Sequence, residues 1–107
     1  MTITQQYREE AEAIAIEIND KYGISISTGN SINDVNNRIS EIVEHMGYVL
    51  FEAERAKHPY STTITQEKLV NEHGDNLKAD LEKFREACNK LHGEIHDPSI
   101  KFSANNI

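Results

Sequence analysis

Cys88, His92 and His96 stand four residues apart, and sulfur with imidazole is donor chemistry suited to zinc or copper. On one helix that spacing puts all three on one side. A structural metal takes four ligands, however, and no second pair of matching spacing follows; Gly93 also interrupts the run. The plainer expectation is an ordinary buried Cys88 with solvated histidines and no bound cofactor. A cysteine on a core stripe is also a poor nucleophile, because burial disfavours its thiolate. No serine sits in a Gly-x-Ser-x-Gly turn. His73 falls on the same apolar stripe, where a partly exposed rim position is expected of it.

The carboxylates offer a second chemistry. Glu41-Ile-Val-Glu44 is followed, one connection later, by Glu72-His-Gly-Asp75-Asn-Leu. These two words resemble those of the MazG-like all-helical nucleotide pyrophosphohydrolases, in which a Glu-Glu-x-x-Glu word and a Glu-x-x-Asp word on successive helices bind magnesium. The resemblance implies a Mg²⁺ site at Glu41, Glu44, Glu72 and Asp75 and hydrolysis of nucleoside triphosphates. It covers only these words, and Ser40 stands where the family carries its first Glu. At about 100° per residue, Glu41 and Glu44 point away from the apolar seam of their helix, as Glu72 and Asp75 do from theirs. The hydrolase is therefore the alternative reading, and no family is assigned.

Three helices must position these residues. The organising stretch is Ile32, Val35, Ile39, Ile42, Met46, Val49, Ala53 and Ala56, whose spacing alternates three and four like a heptad seam. It predicts one helix over 32–57, capped by Ser31 with Asp34 three residues on. Pro59 ends it. Gly47 lies inside and is expected to admit a close helix approach. A first helix over 4–22 carries Tyr7, Ala11, Ile14, Ile18 and Tyr22, with Gly23 as its stop. Glu9, Glu10 and Glu12 are read as favoured by its dipole. Ile16 and Ala13 lie off its stripe, so this helix is expected to touch two neighbours. A third helix over 66–92, capped by Thr63 or Thr65, buries Val70, Leu77, Leu81, Phe84, Cys88 and Leu91. Residues 97–107 form a tail, either mobile or packed across the bundle. Ile24-Ser-Ile and Thr-Thr-Ile64 could pair as very short strands, and the connections 24–31 and 58–65 could line a small-ligand or nucleotide pocket at a subunit interface.

These elements imply an all-α single domain over 1–96, either an antiparallel three-helix bundle or a long helical hairpin completed by oligomerisation. The net charge of -7 argues against a nucleic-acid partner and suits basic protein surfaces. Only 7% of residues are aromatic and the mean hydropathy is -0.62, which leaves a thin core and favours a homo-oligomer. One cysteine, no basic-then-apolar leader and no apolar run of about 20 residues point to a soluble cytoplasmic protein without a membrane span. The function expected is non-enzymatic protein–protein interaction, as a regulator, inhibitor or adaptor. The expected interaction face is Val43, Gly47, Tyr48, Leu50 and Phe51 with their acidic neighbours, the equal alternative being that some of these are simply core.

Overall fold

The computed structural model describes residues 3–96 and is all-helical, with no strand among them. Four helices form: α1 (Ile3–Tyr22), α2 (Ile32–Glu44), α3 (Met46–Lys57) and α4 (Gln66–His96). The expected short strands are absent from both connections, and the tail 97–107 lies outside the described residues. No helix is long and apolar enough to cross a membrane among the residues described.

α4 is the spine. Its 31 residues run about 46 Å, and α1, α2 and α3 all pack against it. Serving three partners requires a wider apolar face than one stripe. Leu69, Leu77, Leu81, Phe84, Ala87, Cys88 and Leu91 are all buried, while Val70 is half-buried. Leu69 and Ala87 fall outside the expected stripe for this reason. The helix continues through Gly93 to His96. Its start is fixed by Thr65, whose Oγ1 accepts from the Lys68 N–H at 3.2 Å.

The connection order departs from an up-down-up bundle. Glu10 pairs with Lys90 at 3.8 Å while Tyr22 reaches Asp80, so α1 runs antiparallel to α4. Asn36 accepts from Arg85 at 3.0 Å, and ten residues later Met46 lies against Gly74. α2 is therefore antiparallel to α4 as well, and parallel to α1. A parallel course demands a return crossing, and residues 23–31 supply it in extended form. Nine residues can span about 30 Å, more than the roughly 21 Å between the levels of Tyr22 and Arg8. Ile24 and Thr28 are buried and Ile26 half-buried, while Ser25 and Ser27 face outward. The alternation read in the sequence thus lies against helices instead of in a ladder.

Gly23 starts this return. At φ 71° it adopts the left-handed geometry that ends α1, and its N–H donates to the Asn19 carbonyl at 2.8 Å. A Cβ there would also stand 2.9 Å from Ala53 Cβ of α3. The return ends at Ser31, whose Oγ accepts from the Asp34 N–H at 3.3 Å, while Asp34 Oδ2 accepts from the Asn30 N–H at 3.0 Å.

The single helix expected over 32–57 is broken at His45, which has φ -115° and ψ 31°. Val35, Ile39, Ile42 and Met46 follow the seam, but Leu50 then takes the buried position, Val49 and Ala53 are half-buried and Ala56 is exposed. The turn lets α3 lean across the start of α4 and reach α1, which α2 does not touch. Gly47 gives the close approach expected of it: a Cβ there would lie 2.9 Å from Gln66 Oε1 and 3.6 Å from Val70 Cγ2.

Candidate interaction surface

The four carboxylates singled out for magnesium are exposed and engaged locally or solvated. Glu41 is exposed and bound to Arg38 at 2.7 Å, Glu72 sits 3.2 Å from its neighbour His73, and Glu44 and Asp75 are exposed. Among the described residues no group of three or more His, Cys, Asp and Glu side chains is placed to hold a metal ion. His73 occupies the rim, edge-on to the Tyr22 ring with centroids 6.3 Å apart.

Cys88 and His92 are both buried, and the expectation of a solvated His92 is corrected. Its Nε2–H donates to the Thr28 carbonyl at 2.8 Å. The Thr28 Oγ1 meanwhile accepts from Arg8 at 3.2 Å. His92 therefore satisfies a buried backbone oxygen of the return segment, for which a histidine is needed more than a hydrophobe. Burial pushes the Cys88 thiol up to about 11, against the opposing charge of Arg8. The side chain of His96 lies outside the described residues.

At the other end of the return, Asp80 is buried and accepts from the Tyr22 hydroxyl at 2.8 Å and from Lys21 Nζ at 3.1 Å, both at Oδ2. Burial works to raise this carboxyl, but the two donors and the nearby Lys83 charge hold it below the ordinary carboxylate value. Burial, and then Asp80 itself, push the Tyr22 phenol up to about 12. Sequence reasoning missed Asp80 because one acidic residue interrupting a stripe looks like helix solvation; its spacing three residues from Leu77 was the available signal.

The residues of the expected interaction face are divided between core and surface. Leu50 is in the core, Gly47 is covered by Gln66 and Val70, and Phe51 is half-buried with the Arg55 guanidinium 5.2 Å from its ring centroid. Only Val43 (40% exposed) and Tyr48 (57%) point outward, on either side of the His45 turn.

A different surface emerges on α1. Because the helix begins at Ile3, Glu9, Glu10 and Glu12 lie well beyond its first turn, where the dipole has faded. Their position has another consequence. Ile16 is 62% exposed, and by helical periodicity Glu9, Glu12 and Asp20 lie within about 40° of it along the same crest. From Glu9 to Asp20 the chain holds no Lys or Arg. Glu10 reaches Lys90, whereas Glu9, Glu12, Glu17 and Asp20 form no salt bridge with the described residues. Beside the crest, Ala15, Ile16 and Asn19 face Ser25 and Ile26 of the return across a groove of about 260 Å³. The segment's other flank forms a groove with Asp34 and Arg38, whose guanidinium donates to the Ser25 carbonyl at 3.0 Å. The off-stripe positions of Ala13 and Ile16 were the sequence signal for this face. No protein-family model matches the chain, and no curated protein or solved structure matches it either.

Proposed function

We propose that this chain acts without catalysis, by binding another protein as a small regulator, inhibitor or adaptor. The observation that carries the reading is Ile16: a large apolar side chain, 62% exposed on a helix, beside a groove to which Ala15 and Ile26 contribute apolar lining. Covering the exposed part of this isoleucine yields roughly 1–2 kcal/mol, so a partner that covers it gains affinity without new structure in this chain. The buried ties at Thr28 and Asp80 hold the groove walls in place, which lowers the ordering cost of binding. A cytoplasmic setting fits the single, buried thiol.

The test is a photo-crosslinking residue placed at Ile16, with the same residue at exposed Ala79 of α4 as the reference. A discrete adduct with another protein from position 16 and none from 79 supports the reading. Absence of any adduct from 16, and from the exposed positions 43 and 48, overturns it. Self-association through Val43 and Tyr48 is a second reading, favoured by their exposure; mass by light scattering over a concentration series decides it. Melting with and without Mg²⁺ and a nucleoside triphosphate reads the hydrolase alternative, because a ligand of the folded state raises the melting temperature.

A further inference from the structure

We infer that the occupant of the α1 surface is a basic amphipathic helix, laid along the crest with an apolar anchor in the groove between α1 and the return segment. This rests on the protein-binding reading above and names the partner's chemistry.

The first argument is charge. The crest offers Glu9, Glu12 and Asp20 in line with Ile16, with Glu17 on the flank, none in a salt bridge with a described residue. The two nearest cations of α1 are engaged elsewhere, Arg8 with Thr28 and Lys21 with Asp80. A partner bringing Lys or Arg meets uncompensated carboxylates, while an acidic partner meets repulsion.

The second argument is shape. Glu9 to Asp20 spans about 16 Å of straight helix. Glu9, Glu12, Ile16 and Asp20 follow one another at steps of three, four and four, so a second helix with cations and one apolar residue at the same period matches them. The groove lined by Ala15, Ile16, Asn19, Ser25 and Ile26 runs alongside. Its size suits one or two aliphatic side chains, and the outward Ser25 edges it. An apolar anchor flanked by cations therefore has a seat for each part.

The experiment uses the purified full chain and three labelled peptides. One is a helical Leu/Lys/Arg amphipath. A second has its Lys and Arg replaced by Glu, and a third its Leu replaced by Ser. Fluorescence anisotropy is read for the wild-type chain, for Ile16→Ser, for the double variant Glu12→Gln/Asp20→Asn and for Glu44→Gln/Asp75→Asn, which removes equal charge elsewhere. Ile16 is exposed, so the fold is kept, and circular dichroism checks this. The inference expects binding of the first peptide only. It expects a loss of about tenfold with Ile16→Ser, a comparable loss with the α1 double variant, and no change with the control pair. It also expects weakening as salt shortens the screening length from about 10 Å at 0.1 M to about 3 Å at 1 M. Equal weakening by both double variants, or binding indifferent to Ile16, means diffuse attraction to an acidic protein and overturns it. No binding of the basic peptide overturns it too. A crosslink from position 16 in that case leaves the protein-binding reading standing with a partner of other chemistry; no crosslink from 16, 43 or 48 removes both.

Discussion

The two ends of the extended return are held by opposite means. At its start, Tyr22 and Lys21 both donate to one oxygen of the buried Asp80 carboxylate. At its finish, Thr28 is held by its own neutral groups, the carbonyl accepting from His92 and the hydroxyl from Arg8. A charge inside a protein is expensive unless its lone pairs are occupied, so the first end works only as a complete set. The second end loses its bonds separately, because the Thr28 side chain can go while its backbone carbonyl remains. The lesson is that one short segment is fastened by a brittle tie and a tolerant one.

That difference can be broken by substitution. The largest effect is expected from Asp80→Ala. It orphans the buried Tyr22 hydroxyl, while Lys21, half-exposed, returns to water. A loss of about 2–3 kcal/mol follows for a bond to a charged group, read from urea unfolding. Gly23→Ala comes next, at about 2 kcal/mol. It forces alanine into φ 71° and sets a Cβ 2.9 Å from Ala53; truncating Ala53 to Gly in the same chain relieves the contact and leaves the backbone part. Thr28→Val should cost only about 1 kcal/mol, since the His92 bond to the carbonyl survives. If Thr28→Val matches Asp80→Ala, the contrast between the two ends fails.

The pH dependence sharpens the comparison with smaller effects. The Asp80 carboxyl is held below its unfolded value, so its contribution is present above the ordinary carboxylate range and lost as pH falls through the folded value. Asp80→Asn should flatten the acid limb of a plot of urea midpoint against pH. The Tyr22 phenol moves the other way, from 10.0 to about 12. Its contribution is intact below about 10 and disappears as pH rises through about 12. Tyr22→Phe should flatten that alkaline limb in part, the remainder belonging to Cys88 with its thiol at about 11.

Helix content was legible because three- and four-residue spacing has one structural meaning. The ends of the first helix at Tyr22 and of the stretch at Lys57 were set by Gly23 and Pro59, local effects that sequence displays directly. The break at His45 was not legible, because the apolar spacing runs through it and the cause is tertiary: α3 must reach Gly23 and Gln66. The parallel course of α1 and α2 was hidden for a similar reason. Nine residues suit a compact turn or an extended return, and only the burial of Ile24 and Thr28 against the helices decides between them. The residues of the expected face divide between core and surface because Leu50 takes the fully buried position after the break, where Val49 and Ala53 are only half-buried. Ile16 was legible as an oddity, but its significance needed the Ile26 side of the groove.

The closeness of Glu10 to Lys90 and of Arg8 to Thr28 and Cys88 also fixes how the molecule answers mechanical load. Tension applied through residues 8 and 92 acts across the α1–α4 pair at one end and opens it like a zipper, one turn of helix at a time. Tension through residues 8 and 66 pulls along the pair and must slide its whole length at once. The same chain is therefore compliant from one pair of handles and stiff from another, and rupture forces from the two attachments would differ although the equilibrium stability is the same.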